Sequence, residues 1–354
     1  MNNHNKISPL GICFLSSFLY RSFYIIGFFN LIISISKNDS IFSIVLGAIV
    51  GLTILFGYFY LNNKLSNDNI FSKINNTFPK IISDLLSSFL IITFIFIGSF
   101  TIYNLAVFIN YNLLNDIDVF PISILLIVTA IYLASKGITT ITRVSGILIF
   151  IFILFVIVSF ISLINYSNPI NLYPLLTNNF LDIYKSGIYS SILSVTPILL
   201  LLIIPKNRIE KKQKYQRYML ITYIINFVYL FISFILILSI LGVKLTNILN
   251  YPDIVALQKV SILHFIERIE DLLSFKVMFD GFILLTLIVL YIKEGIISVF
   301  KIKPNNKIIF IIGLVILIIS YYFKIINIKL IVYLLTLILF VHFLLMIFIK
   351  KTTN

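Results

Sequence analysis

The sequence predicts an all-α integral membrane protein, with ten transmembrane helices arranged as a 5+5 inverted repeat. Three observations carry that expectation. Sixty per cent of the 354 residues are hydrophobic, only 11% are charged, and mean hydropathy is +1.09, whereas globular chains hold about 25% charged residues. Apolar runs recur along the whole length, most of them near the ~20 residues that a helix needs to cross hydrocarbon. The basic residues cluster in alternate connections, which is the pattern of a polytopic chain.

The runs fall at 9–36, 40–61, 82–111, 119–136, 142–165, 187–204, 217–242, 272–293, 307–323 and 328–349. The first is too long for the apolar stretch of a leader, contains Arg21 and lacks a small-residue cleavage pattern before Lys37, so it reads as a retained helix. The second and third are parted by Lys64, Asp68, Lys73 and Lys80, and the fourth and fifth by Lys136 and Gly137. The sixth and seventh flank the basic stretch Lys206 to Arg217, and the eighth and ninth flank Lys293 to Lys307. Placing the amino terminus in the cytoplasm gives the inner connections a net charge of +15 and the outer ones −1. Retention of Lys and Arg on the inner side then makes both termini cytoplasmic. The formal charge of +14 is thereby a topology signal, and no nucleic-acid partner is needed to explain it.

Ten spans divide into residues 9–165 and 187–349 of one polytopic domain. Because each half holds an odd number of spans, a repeat between them has opposite membrane orientation, as in many secondary transporters. Each half opens with a span carrying polar or helix-breaking residues near its middle: Ser16, Ser17, Tyr20, Arg21 and Ser22 in the first, Ser190, Ser191, Ser194, Thr196 and Pro197 in the sixth. Such paired interruptions point to a central binding site. The outer connection 243–271 has Ile262, Leu263, Ile266, Ile269 and Leu273 at helical spacing next to it or within it, which reads as an amphipathic helix on the outer interface or as an ordinary connecting helix.

Individual residues define the candidate site. Arg21 sits at mid-bilayer depth, where an ionised side chain costs at least about 2.5–3.5 kcal/mol. Asp280, just before Gly281, has similar depth in span 8 and is a candidate partner; Lys276 competes for Asp280 from one turn away, and a hydrated vestibule competes for Arg21. Pro197 deprives the Leu193 carbonyl of its helical donor, and Ser194 and Thr196 add hydroxyls beside it. These groups suit an ammonium, while amide donors at a break near Ser17, Tyr20 and Ser22 suit a carboxylate; a plain proline kink is the other reading. In span 3, Ser99, Tyr103 and Asn104 form a polar stretch in which Tyr103 is a candidate cap on a ligand, whereas Gly98 and Ser99 also serve close packing. One cysteine, Cys13, and three scattered histidines offer neither a disulfide nor a metal constellation. With no paired catalytic carboxylates and no phosphate-binding glycine loop, the sequence predicts no enzyme, cofactor or metal.

Several segments taken in order resemble the B-subunit family of spore germinant receptors, the GerAB-like spore germination permeases of the amino acid–polyamine–organocation superfamily. They are Tyr251-Pro252 followed by Ile262-Leu263-His264-Phe265-Ile266-Glu267-Arg268-Ile269-Glu270, then Lys136-Gly137 through Thr142-Arg143, Asn171-Leu172-Tyr173-Pro174, and Pro205-Lys206. The chain departs from that family in having no Trp, and in lacking an acidic residue after Pro197 and near Gly146. The resemblance implies a LeuT-like fold with helices 1 and 6 unwound around a midplane pocket. It implies residence in the spore inner membrane beside a larger A-type membrane subunit and a C-type lipoprotein, with this subunit sensing a small nutrient, an amino acid above all. Glu267, Arg268 and Glu270 are then candidates for docking the partner subunits. The alternative is a secondary amino-acid or cation symporter; in sodium-coupled relatives helices 1 and 8 contribute to a sodium site, a place that an Arg21–Asp280 pair would take.

Overall fold

The computed structural model describes residues 6–65, 68–114, 116–210, 212–259, 269–322 and 327–349. Among them the chain is all-helical, apart from one isolated backbone bridge between Ile7 and Ile209. Seven helical stretches are long and apolar enough to cross a membrane: Phe29–Leu65, Lys80–Asn112, Ile138–Ile164, Phe180–Ile203, Lys214–Ile248, Ser274–Phe300 and Ile328–Phe348. Two shorter apolar helices, α6 (Val119–Ser135) and α12 (Lys307–Tyr322), accompany them. Large apolar side chains such as Phe150, Ile147 and Phe310 remain exposed on this bundle.

The opening helix, α1 (Pro9–Arg21), starts on Ser8, whose Oγ accepts from the Gly11 amide at 3.1 Å, with Pro9 at the first helical position, where its missing N–H costs nothing. It stops at Arg21. A π-helical turn over Tyr24–Phe28 follows, with Gly27 at φ 72, and α2 (Phe29–Ser36) resumes the path. Lys37, at φ 46, turns the chain into α3 (Ser40–Leu65), which lies along α8 (Phe180–Val195). Small residues permit that approach: a Cβ on Gly47 would stand 2.8 Å from the Gly187 carbonyl, and Ser186 donates to Ser43 at 2.7 Å. Past Val195 the chain tightens into a 3₁₀ stretch, Thr196–Ile203, with Pro197 as its second residue.

The remaining scaffold consists of α4 (Ile70–Thr77), α5 (Lys80–Asn112), α7 (Ile138–Ile164), α9 (Lys212–Ile248), α10 (Pro252–Gln258), α11 (Ile269–Phe300) and α13 (Ile328–Phe348). α11 packs on α5, and α1 packs on α9, α7 and α11. Several bounds differ from the apolar runs. α8 begins at Phe180 rather than near 187, because Asp182 and Lys185 interrupt the run without interrupting the helix. α9 reaches Ile248, with a non-helical Gly242 (φ 70) inside it, and α4 was not legible as an apolar run because it is only 8 residues long and half polar.

Two closures bracket the bundle. At one end the Ile7 amide donates to the Arg208 carbonyl at 2.8 Å and the Glu210 amide to the Ile7 carbonyl at 2.9 Å. At the other, the buried Asp39 carboxylate accepts from the amides of Leu176, Thr177 (3.0 Å) and Asn178 (2.9 Å) and from the Asn178 side chain (2.9 Å), strapping the segment before α8 over the turn between α2 and α3.

Candidate functional site

Arg21 ends α1 deep in the bundle at 1% exposure, and its guanidinium is held on several sides. Nη2 donates to Asp280 Oδ1 at 2.8 Å and Nε to the same oxygen at 3.2 Å, with a longer 3.4 Å contact to Oδ2. Nη1 donates to Ser17 Oγ at 2.5 Å and to Asn226 Oδ1 at 2.7 Å. Ser17 in turn donates to Asn226 Oδ1 at 2.9 Å, and the Asn226 amide nitrogen donates to the Thr222 carbonyl at 2.7 Å. The Phe152 ring covers the guanidinium with its centroid 3.7 Å from Cζ. The network ties α1 to α9 and α11 and keeps a buried charge compensated.

Beside it, the places where α1 and α8 end carry polar atoms of another kind. Tyr24 Oη, Ser194 Oγ and Thr196 Oγ1 are buried with no hydrogen-bond partner among the described residues. The hydroxyls of Tyr20, Tyr24 and Ser194 nevertheless lie within hydrogen-bonding reach of one another, so of the three it is Thr196 that stands apart. Tyr20 packs edge-on against Tyr24 and Tyr223, with centroids 6.2 and 5.4 Å away. Ser22 donates to the Leu19 carbonyl at 2.8 Å, so its hydroxyl serves the end of its own helix. Buried polar groups are normally paired, so these hydroxyls at two helix ends are candidates for contact with a ligand.

The span-3 residues lie elsewhere. Ser99 donates to the carbonyls of Ile95 (2.8 Å) and Ile316 (3.1 Å), joining α5 to α12. The Asn104 amide donates to the Phe100 carbonyl at 2.9 Å within α5. Tyr103 lines a cavity of about 610 Å³ between α5, α6 and α12, together with Asp118, Phe120 and Tyr321. None of the three touches the Arg21 network; a helix that is polar on two faces cannot be oriented from sequence alone. Glu267 and Arg268 fall outside the described residues, as do residues 260–268 of the amphipathic stretch 255–273; Glu270 lies in the first turn of α11.

Sequence reading missed four participants. Asn226 and Tyr24 carried a weak signal, as polar side chains inside apolar runs; Phe152 carried none. Asp253 stands in the first turn of α10, and with Lys276, Asp280, Tyr24 and Tyr229 it lines a cavity of about 30 Å³ at the Lys37 end of the bundle. Lys276 donates to the Tyr229 hydroxyl and not to Asp280, whose ion-pair partner is Arg21. Asp253 has its carboxyl pushed above the usual range by burial, with the Lys276 charge working in the opposite direction. Around Ser16, Tyr20, Ile198 and Asn226, by contrast, the gap between side chains leaves no room for a water.

Comparison with solved structures finds the same fold in two transporters. The closed, bromovinylhydantoin-bound form of Mhp1, a nucleobase-cation-symport-1 family transporter, matches with a TM-score of 0.68 at 10% identity, over 96% of this chain and 78% of that one. MhsT in complex with L-phenylalanine matches with a TM-score of 0.64 at 13% identity, over 95% and 88%. At such identities the likeness is one of fold. No curated protein matches the sequence. Residues 6–328 match the family described as spore germination protein, and a match over that much of the chain makes this multi-pass membrane protein a member of the spore germination permease family.

Proposed function

We propose that the protein is the nutrient-sensing subunit of a spore germinant receptor and that it binds a small zwitterion, an amino acid above all, near the bilayer midplane. One observation carries the reading: the buried hydroxyls of Tyr24, Ser194 and Thr196 gather where α1 and α8 end, Tyr24 and Ser194 within reach only of each other and of Tyr20, and Thr196 without a partner among the described residues. A hydroxyl left unpaired in a low-dielectric interior costs about 1–3 kcal/mol, a cost that a bound ligand relieves. Main-chain groups released by the π turn and by Pro197 supply further donors and acceptors at the same level. Ser17, Arg21 and Asp280 hold this region from behind, and Tyr20 and Ser22 complete its α1 side.

In this proposal the chain makes ten crossings. α1, the π turn and α2 form the first, and α6 and α12 are the fourth and ninth; residues 9–165 and 187–349 are the inverted halves, interrupted in helices 1 and 6. Residues 243–271 are the outer connection, and Glu267, Arg268 and Glu270 are the proposed docking residues for an A-type membrane subunit and a C-type lipoprotein. Both termini lie on the core side of the spore inner membrane. Ligand binding favours one arrangement of the interrupted segments and shifts the assembled receptor toward signalling by its differential affinity. The test is the nutrient response of spores carrying Ser194→Ala and Thr196→Val at normal protein level. An unchanged response in both removes the site.

The transporter fold of both structural neighbours favours a second reading, a symporter that releases the same ligand inside. The Arg21–Asp280 pair argues against sodium coupling, because it places a fixed cation between helices 1 and 8. Sodium-driven uptake of a labelled amino acid by the lone protein in vesicles would establish the symporter and sink the sensor-only reading.

A further inference from the structure

The small cavity at the Lys37 end holds charges that the helix-end hydroxyls leave unexplained. Lys276, on α11 one turn before Asp280, is only 5% exposed. Its ammonium donates to the Tyr229 hydroxyl and lies 4.9 Å from the Tyr229 ring centroid and 5.8 Å from that of Phe152. An ammonium has three N–H donors, and Tyr229 takes one. Its electrostatic neighbours are two carboxylates, Asp253 and Asp280, and all three residues line the cavity. Of the Asp280 oxygens, Oδ1 receives the two shorter bonds from Arg21 and Oδ2 only the 3.4 Å contact. The other walls include Phe29, Phe160, Leu163 and Ile237, and Tyr24 joins this cavity to Ser194.

The charges alternate and cancel: Asp253 against Lys276, Asp280 against Arg21. A ligand with a net charge would add an unmatched charge to a buried site, which is expensive, whereas a zwitterion adds none. Resting on the reading under Proposed function, we infer that Lys276 is the specificity-determining residue of that site: it anchors the ligand carboxylate, while Asp253 and the free side of Asp280 receive the ammonium and the apolar walls take an apolar side chain. The corresponding amide and decarboxylated amine, each bearing a net positive charge, are rejected. The cavity holds about 30 Å³, room for roughly one water. Binding therefore widens it, and the compliant wall is the turn that carries Tyr24 and leads to Phe29, with Gly27 inside it.

The test uses the full chain in lipid nanodiscs. Each of the twenty standard amino acids is titrated against thermal unfolding, and the tightest binder is compared with its carboxamide and its decarboxylated amine. Wild type is expected to prefer the acid at least about tenfold, a difference of about 1.4 kcal/mol. Lys276→Met and Lys276→Gln are expected to bring acid and amide within about twofold, and Lys276→Arg to keep the preference; the Gln variant retains a donor toward Tyr229 and covers the case in which Met does not fold. If wild type binds an amino acid and the Met or Gln variant keeps the tenfold preference, the inference is overturned while the sensor reading stands. If no amino acid stabilises wild type, the sensor reading fails and takes the inference with it.

Discussion

Nη2 of Arg21 stands 2.8 Å from Oδ1 of Asp280, and the two side chains are 2% and 4% exposed. One residue closes α1 and the other lies in the body of α11, so the pair sets the position of the first helix end against α11. Ser17, Asn226 and Phe152 occupy the rest of the guanidinium, which makes the arrangement a built-in anchor for the neighbouring site.

Removing one partner leaves the other charge buried and uncompensated. Arg21→Met or Asp280→Leu alone is expected to lower stability by about 3–5 kcal/mol, while the double variant recovers most of that loss. Chemical denaturation in detergent measures it. A double variant no more stable than either single one would show that the charges are not coupled.

Thr196→Val replaces an unpaired buried hydroxyl with a methyl of the same shape. Stability is expected to hold or to rise by about 1 kcal/mol while the nutrient response falls, because only the unliganded state benefits from the exchange. A melting measurement paired with a germination assay reads both, and a stability loss above 1 kcal/mol would mean that the hydroxyl has a structural partner.

Gly27 adopts φ 72, and a Cβ there would have Ile328 Cγ2 as its nearest contact, at 4.0 Å. The space is open, so the effect of Gly27→Ala comes from the backbone alone and is expected to be about 1–2 kcal/mol. The loss should appear in the unfolding midpoint, with Gly242→Ala, also at positive φ but remote from the site, as the comparison that keeps ligand response.

Asp39→Asn keeps the shape of the strap and removes its charge. Hydrogen bonds to a charged acceptor are worth about 1.5–3 kcal/mol, roughly twice the neutral value. Amide exchange at Thr177 and Asn178 is therefore expected to quicken about tenfold or more, with the amides of α5 unaffected. Equal rates in the two proteins would show that the segment is held by packing.

The helical architecture was legible because hydrocarbon imposes one length and one composition on every crossing element. The Arg21–Asp280 contact was legible for a related reason: a lone cation at mid-bilayer depth demands an opposite charge at similar depth, and few candidates exist. What periodicity could not give was rotation about the helix axis. Ser99 and Asn104 look like ligand groups in sequence and prove to be bound to carbonyls, because a hydroxyl or amide inside a membrane helix is satisfied most cheaply by its own preceding turn. Asn226 and Lys276 were equally visible as polar letters, yet their meeting with Ser17 and Asp253 depends on how α1, α9, α10 and α11 are turned toward each other.

The paired amides of Ile7 and Glu210 join the start of the chain to the segment after the 3₁₀ stretch, at the face opposite the Asp39 strap. Any rearrangement that parts these two segments must surrender both bonds together. Deuterium uptake at just those two positions would time the parting of this end of the bundle, running in lipid without a dye or a tag.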